Sequence, residues 1–456
     1  MKSRFASLCI AAFAMRLDGA IRHGPGHRRD QHGRPGQPGP GLRWRHALLW
    51  SIGLASALLA GCGNFARLNQ DLERLDQDRL HIRGAIESPG LPDAPVVLLY
   101  ALDPEGRERY SYSAYGRPGE FEAWLLRQSG MLLAFSDLNR DFVLQADEPW
   151  GRIRWTGDPS LELTPTDRLV ITLEPPGPER PQPMGLAESS VTAVSGLSQL
   201  QLGIVADLDD ERFSRERAGE ALWQPYEMVA DELVGLCFLE PYDPGRIPVV
   251  FVHGMTGTPR EFGALVDALD RTRFQPWMFY YPSGFPLDTL GLGLHQALET
   301  LHRQYGFDTA HLVAHSMGGL VSRRFIGACV RFDGCPWLNT FISLASPFGG
   351  MSSADWGIDY APSTVPAWND LSPSSAFLAT LFAAPLPPDL SHHLFFAYRN
   401  TGVVNTTSSD GVVPLTSQLR PEAQAQAARL IGIDDTHTGI LENPATLSAI
   451  KRILDL

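Results

Sequence analysis

One stretch of the chain places a serine where it could act as a nucleophile. Residues 311–326 read His-Leu-Val-Ala-His-Ser-Met-Gly-Gly and then Leu-Val-Ser-Arg-Arg-Phe-Ile, which predicts a short buried strand, a sharp turn at Ser316 and a helix. Ala314 and Gly318 are small, so the turn could pass close to its neighbours while Ser316 takes a strained backbone conformation. The Ser316 hydroxyl would then project from the carboxyl end of the strand, as a nucleophile requires.

This stretch resembles the nucleophile elbow of the α/β-hydrolase superfamily, with Ala314 in place of the usual first glycine. Acyl transfer through serine also needs a general base, a carboxylate that orients the base, and donors for the oxyanion. The resemblance implies the chain order Ser, then Asp or Glu, then His, on loops after successive strands.

That order selects a base and an acid. His437 is the one histidine between residue 397 and the end of the chain, and it follows the last predicted strand. Asp410 lies in a Ser-Asp-Gly-Val-Val-Pro string that is similar to the acid loop of many lipases and esterases. Asp434 and Asp435 are competing acids, disfavoured because they are too near His437 in sequence to come from a separate strand.

A second loop is expected to supply the oxyanion donors. Residues 250–257 end a predicted strand in a turn that resembles the His-Gly loop of the superfamily. The resemblance implies that the backbone amides of Met255 and Met317 would point at the developing negative charge. We expect His253 to shape this loop and His315 to pack beside the elbow. Neither histidine is expected to bind a metal ion.

Alternating strands and helices from Ile247 to the end predict an α/β fold with a mainly parallel sheet and crossover helices over 247–456, as in the α/β-hydrolase fold. An insertion at about 347–393 interrupts this pattern and is rich in aromatic residues and leucine. Loops of this length are usually lids or binding segments. Its Leu371–Leu381 part is similar to a cap segment of triacylglycerol-lipase-like and GPI inositol-deacylase-like hydrolases, which favours a hydrophobic acyl substrate over simple packing of an edge.

Length and composition predict two folded domains after a leader. The chain has 456 residues, is 44% hydrophobic and carries a formal net charge of −13. Residues 1–46 hold nine basic and two acidic residues, so the remainder has 29 basic and 49 acidic ones. A body this acidic disfavours polyanions and argues against nucleic acid as a partner.

The N-terminal part divides into four predicted segments. Residues 1–61 form a leader and signal peptide, 62–79 a tether, 80–175 a small antiparallel β-sandwich-like domain with period-two strands, and 176–246 a proline-rich linker with lead-in helices. Within the β-domain, Asp137, Asn139, Asp141 and Glu148 have the spacing of a calcium-binding loop. Phe142 at the position that prefers glycine, and the lack of flanking helices, favour instead an acidic hairpin loop.

Cysteines mark a possible anchor and a possible crosslink. Leu59-Ala60-Gly61-Cys62 ends a short apolar run and looks like the lipobox of bacterial lipoproteins, in which the cysteine is lipidated. This implies a cell-envelope protein outside the cytoplasm, on the outer membrane if the cell is Gram-negative; the alternatives are an ordinary signal peptide or an uncleaved anchor. Cys329 and Cys335 are spaced to close a small loop by a disulfide.

These observations together predict a membrane-tethered serine ester hydrolase of the lipase or carboxylesterase type, with a hydrophobic ester or lipid as substrate. Catalysis by this route requires no cofactor, and calcium would be structural. Phospholipases, thioesterases, amidases and acyltransferases use the same parts, so the fold alone does not choose among them. The rival from another class is a non-catalytic envelope lipoprotein that uses the β-domain for adhesion.

Overall fold

The computed structural model describes the chain from residue 63 to residue 455 with several gaps. The described ranges are 63–74, 79–91, 97–102, 109–115, 118–126, 130–138, 144–155, 169–176, 201–230, 234–331, 335–400 and 408–455. The predicted leader, Cys62, Asn139 and Asp141 therefore lie outside the described residues. In the described part, no helix combines the length and the apolar character needed to cross a bilayer.

Among the described residues before 175, seven strands form two sheets: β1 (Arg79–Glu87), β2 (Val97–Leu102), β3 (Arg109–Tyr115), β4 (Gly119–Leu126), β5 (Gly130–Ser136), β6 (Trp150–Trp155) and β7 (Leu169–Thr172). One sheet has the order β4-β1-β7 and the other β3-β2-β5-β6. Alternate side chains such as Val97, Leu99, Phe121 and Leu132 share one buried core, which explains the period-two pattern.

Two features of this part differ from the sequence expectation. Strands β3 and β6 were not anticipated, because their sequences are mostly polar or broken by glycine and arginine. The sheets are also not wholly antiparallel, since β1 and β7 pair in parallel.

A third sheet, in the hydrolase part of the described chain, has eight strands in the order β15-β14-β13-β12-β10-β11-β9-β8. They are β8 (Gln201–Val205), β9 (Gly235–Phe238), β10 (Ile247–Val252), β11 (Phe274–Tyr280), β12 (Ala310–His315), β13 (Leu338–Leu344), β14 (Ser391–Ala397) and β15 (Arg429–Ile433). All neighbouring pairs are parallel except β9 and β11. The expected start at 247 is therefore too late, because β8 and β9 are short strands within the segment expected to link the domains.

Helices cover both faces of this sheet, which gives it two cores. In β10, Val250 and Val252 belong to one core and Val249 and Phe251 to the other. A parallel strand buried on both faces reads as a continuous apolar run, and this is why β10 was readable from the sequence. The α-helices described after residue 200 are Arg215–Trp223, Pro225–Ala230, Gly263–Ala268, Leu287–Tyr305, Met317–Arg331, Ser352–Tyr360, Pro366–Leu371, Ala376–Thr380, Leu415–Gln418, Pro421–Gln426 and Pro444–Leu454.

The insertion between β13 and β14 forms a cap of three short helices, Ser352–Tyr360, Pro366–Leu371 and Ala376–Thr380. Many of its apolar residues, including Val365, Leu371 and Leu378, are buried in the larger of the two cores. These side chains stabilise the cap and are not available to a substrate. Trp356, Trp368 and Phe382 remain half-buried.

Candidate active site

Ser316 lies in a tight turn directly after β12. Its φ is +54°, in the left-handed region that residues other than glycine seldom adopt. The Ser316 amide donates to the Leu344 carbonyl at 2.9 Å, and its carbonyl accepts from Gly319 at 3.0 Å, so hydrogen bonds hold this conformation. A β-carbon at Gly318 would lie 2.2 Å from the Val252 carbonyl oxygen. The turn can approach β10 only because this position has no side chain.

The imidazole of His437 lies between Ser316 and Asp410. Its Nε2 is 2.9 Å from Ser316 Oγ, and its Nδ1 is 2.7 Å from Asp410 Oδ2. An ionised carboxylate only accepts hydrogen bonds, so Nδ1 carries the proton and the lone pair of Nε2 faces the serine hydroxyl. The three side chains follow β12, β14 and β15, so the carboxyl ends of parallel strands bring them together.

Asp410 is buried, with 1% of its surface exposed, and its orientation is fixed. Oδ1 accepts the amides of Val412 and Val413 at 2.9 and 2.6 Å. Oδ2 faces His437 and also accepts from Gln418 Nε2 at 3.2 Å. The His437 amide in turn donates to the Asp410 carbonyl at 3.0 Å, so the acid loop and the base loop are joined through the backbone as well.

The two competing acids make other contacts. Asp434 has a side chain that is 61% exposed and pairs with Arg399 at 3.1 Å. Asp435 accepts from Asn443 Nδ2 at 2.8 Å and lies 3.6 Å from Arg399. Because Asp410 already accepts the single Nδ1 proton of His437, the structure favours Asp410 as the orienting acid.

The electrostatic environment keeps His437 neutral. Burial lowers the pKa of His437 below its usual value; the Asp410 hydrogen bond opposes this shift, and the nearby charge of His315 adds to it. An imidazole with a lowered pKa is neutral near pH 7. That is the form in which Nε2 accepts a proton from a hydroxyl.

Two backbone amides stand beside the serine with no partner of their own. Met317 follows Ser316 in the chain, and Met255 follows Gly254, where a β-carbon would come within 2.8 Å of the Ser316 β-carbon. Within the described residues, neither the Met255 nor the Met317 amide donates a hydrogen bond. Free N–H groups next to a nucleophile can stabilise a tetrahedral oxyanion.

Contacts of His253 and Thr256 hold the loop that carries Met255 in place. The His253 ring stacks on Tyr281 at 4.1 Å and 10°, and its Nε2 accepts the Tyr281 amide at 3.4 Å. Its Nδ1–H therefore donates to the Gly254 carbonyl at 2.8 Å. Thr256 has a φ of +55° and donates its amide to Ser283 Oγ at 3.2 Å. His253 thus shapes the loop and does not face Ser316.

A partly buried carboxylate, Glu261, was missed by the sequence reasoning. Glu261 Oε1 accepts the Gly254 amide at 3.3 Å and lies 3.4 Å from His315 Nδ1. His315 Nε2 donates to the His437 carbonyl at 2.9 Å. Although burial opposes it, the Glu261 carboxylate raises the pKa of His315, and the histidine lowers that of Glu261. Glu261 thus pairs with a histidine that adjoins Ser316 in the chain and donates to the backbone of His437.

The order of the central strands, the strained serine turn after β12, and an acid and a base after β14 and β15 decide the architecture. The chain has the α/β-hydrolase fold. Residues 288–420 match a family described as an alpha/beta hydrolase of unknown function, DUF915. This match includes the elbow and the Asp410 loop and ends before His437. No curated protein matches the chain.

Several solved structures share part of this α/β-hydrolase architecture at low identity. The mature form of lipase BlEst2 from Bacillus licheniformis is 18% identical, covering 48% of this chain and 97% of that one with a TM-score of 0.39. Lipase B from Aspergillus fumigatus is 16% identical, with 61% and 63% covered and a TM-score of 0.39. Phospholipase PlaB from Legionella pneumophila is 20% identical, with 38% and 44% covered and a TM-score of 0.32. Similarities this low leave the reaction to be inferred from the site itself.

Cys329 and Cys335 are joined by a disulfide, with Cα atoms 5.5 Å apart. In the described part of the hydrolase, His295 and these two cysteines form the one group of side chains close enough to hold a metal ion. The disulfide removes both thiolates, so this group is not a metal site. Cys237 is buried and unpaired, as expected of a small apolar residue.

The proposed calcium loop is only partly described. Asp137 and Glu148 are both buried. The Glu148 carboxylate accepts the amides of Leu138 and Gln145, each at 2.7 Å, and so links two positions of the loop. Asn139 and Asp141 lie outside the described residues, and calcium binding at this loop stays a prediction.

Proposed function

We propose that this protein is a serine hydrolase that cleaves carboxylic esters of hydrophobic acyl groups. The observation that carries the proposal is the unbroken hydrogen-bond chain from Ser316 Oγ through the imidazole of His437 to a buried Asp410. Ser316 would act as nucleophile, His437 as general base and acid, and Asp410 as the group that orients the imidazole.

The reaction follows from the positions of these atoms. Ser316 Oγ bonds to the ester carbonyl carbon while His437 Nε2 takes the hydroxyl proton, and the amides of Met255 and Met317 stabilise the resulting oxyanion. The tetrahedral intermediate expels the alcohol, which leaves with the proton from His437. Water, deprotonated by His437, then attacks the acyl carbon. The bond to Ser316 Oγ breaks, Oγ takes the proton back from His437, and the carboxylic acid is released.

A hydrophobic acyl group is supported by what surrounds the serine. Met255, on the oxyanion loop, is half-buried and packs against the larger core, to which the cap also contributes. An apolar acyl chain lying against the partly exposed side chain of Met255 would lose contact with water, which favours its binding. Phospholipase, thioesterase and acyltransferase activities use the same triad and are therefore outcomes of the substrate test.

We also propose that Cys62 carries lipid and holds the protein on a membrane of the cell envelope, outside the cytoplasm. The support is the Leu-Ala-Gly-Cys string after an apolar run. Two or more acyl chains, at about 0.8 kcal/mol per buried methylene, give durable anchoring.

Labelling with a fluorophosphonate tests the catalytic proposal. Wild-type protein should be labelled, and Ser316→Ala should not, whereas Ser322→Ala, which changes a buried serine on the next helix, should be labelled normally. Absence of label on folded wild-type protein would contradict the proposal and favour a non-catalytic envelope protein. A series of nitrophenyl esters then defines the acyl group, and a preference for acetate over longer chains would contradict the hydrophobic assignment.

A further inference from the structure

The helix at 63–74 is packed onto the hydrolase, although it precedes the β-sheets in the chain. Leu68 is fully buried and belongs to the larger core of the α/β-hydrolase fold. Asp71 has 2% of its surface exposed, and its two oxygens accept the amides of Tyr226 and Glu227, each at 2.9 Å. A buried carboxylate that satisfies two backbone donors specifies one docked position for the helix.

The docked helix contacts the cap. Phe65 meets Trp223 edge to face, with ring centroids 5.0 Å apart, and Trp223 meets Trp368 of the cap in the same way at 6.1 Å. Ser363 of the cap donates its hydroxyl to the side-chain oxygen of Asn69 at 3.4 Å. The helix and the cap are therefore parts of one surface.

That surface is connected to the candidate active site by two hydrogen bonds. The Ala367 amide of the cap donates to the Gly284 carbonyl at 3.0 Å. The preceding residue, Ser283, accepts the amide of Thr256, next to Met255 on the oxyanion loop. The helix, the cap and the oxyanion loop are thus contiguous.

The proposed anchor, Cys62, is separated from this surface by very few residues of chain. Gly63 immediately follows Cys62, and each residue spans at most about 3.6 Å. The outer side of the cap also carries aromatic rings: Tyr360 is 50% exposed and lies 5.4 Å from Trp356. Tyrosine and tryptophan favour the level of the lipid headgroups.

We propose that the helix at 63–74 holds the cap side of the hydrolase against the membrane in which Cys62 is anchored. The substrates are then acyl lipids of that same bilayer, taken up beside the cap. This inference rests on the proposed function and on lipidation of Cys62. A flexible tether would let the body of the enzyme move away from the membrane that anchors it, whereas a docked helix keeps the cap side against that membrane.

The test uses full-length lipidated protein in phosphatidylethanolamine and phosphatidylglycerol vesicles that contain a fluorogenic ester lipid. Turnover of this lipid in the protein's own vesicles is compared with turnover in separately added vesicles, and with soluble nitrophenyl butyrate. Wild type should prefer its own bilayer by about tenfold or more, because the docked tether sets a high effective concentration there.

A variant with about 12 Gly/Ser residues inserted after Gly63 should hydrolyse the lipid of its own bilayer several-fold more slowly, since a flexible tether of this length lets the cap move about 20 Å away from the surface. Its turnover of nitrophenyl butyrate should equal that of wild type. The same insertion at the exposed Pro89–Gly90 turn is the matched control and should leave both activities unchanged. Leu68→Glu, which undocks the helix, should behave like the tether insertion.

Equal turnover of own and added lipid by wild type, or turnover of own-bilayer lipid that the tether insertion leaves unchanged, would overturn the inference. So would a failure of wild type to incorporate labelled palmitate at Cys62. A failure of the proposed function looks different, because neither lipid nor nitrophenyl butyrate would be hydrolysed and no fluorophosphonate label would appear.

Discussion

Replacing Asp410 by asparagine is the perturbation whose consequence the hydrogen bonds define most closely. Oδ1 is held by two amides, those of Val412 and Val413, so the asparagine oxygen would take this place. The new NH₂ group would then face two donors, His437 Nδ1–H and Gln418 Nε2–H. His437 could resolve this clash only by moving its proton to Nε2, which would leave no lone pair for the serine.

We expect Asp410→Asn to lower kcat strongly while leaving the fold intact. Loss of the orienting carboxylate from a Ser-His-Asp triad lowers kcat about 10⁴-fold through this change of tautomer. That factor corresponds to about 5 kcal/mol of transition-state stabilisation. The assay is kcat/KM for a nitrophenyl ester, together with the rate of fluorophosphonate labelling, both of which should fall. Thermal unfolding shows whether the variant is folded.

Asp434→Asn is the matched control for this measurement. Its carboxylate is exposed and pairs with Arg399, and exposed ion pairs contribute at most about 1 kcal/mol. Turnover should therefore stay within about twofold of wild type. If Asp410→Asn kept more than about a tenth of wild-type activity while Asp434→Asn lost it, the acid would have been misassigned and the tautomer argument would be wrong.

Three further predictions concern the turn, the base and the crosslink. Gly318→Ala would place a β-carbon 2.2 Å from the Val252 carbonyl oxygen, so the turn that carries Ser316 would have to shift. This shift should lower kcat about 10²-fold. An unchanged kcat would contradict the prediction. Because the pKa of His437 lies below its usual 6.5, kcat/KM should be full at pH 7 and fall only as the pH drops through a value below 6.5. An acid limb above pH 7 would contradict this. Changing both Cys329 and Cys335 to serine should lower the free energy of unfolding by about 2 kcal/mol. Urea denaturation measures this difference. An unchanged free energy of unfolding would show that the disulfide does not stabilise the fold.

The central strands of the sheet could be predicted because burial on both faces makes their sequences continuous apolar runs. β10 begins at Ile247, the residue expected from the sequence. β8 and β9 could not be predicted in the same way. β8 is a half-exposed edge strand of five residues, and β9 is a buried one of only four, so neither is long enough to show a clear period.

The candidate site shows the same division between local and long-range information. Ser316, Asp410 and His437 lie in short strings whose residue types and order resemble a known family, and the structure brings their side chains together. Gln418 and Glu261 lie in no such string. Each acts through contacts set by the packing of distant segments, so a single sequence carries no signal for either.

Glu261 shows what such a residue adds to the site. His315 lies beside His437, with ring centroids 4.8 Å apart, and a positive charge on it would oppose the imidazolium that forms when Ser316 gives up its proton. The Glu261 carboxylate supplies the compensating charge, and it also holds the Gly254 amide of the oxyanion loop. This partly buried carboxylate binds the oxyanion loop and the end of β12 directly and the His437 loop through His315, so the spacing of nucleophile, base and oxyanion donors depends on it.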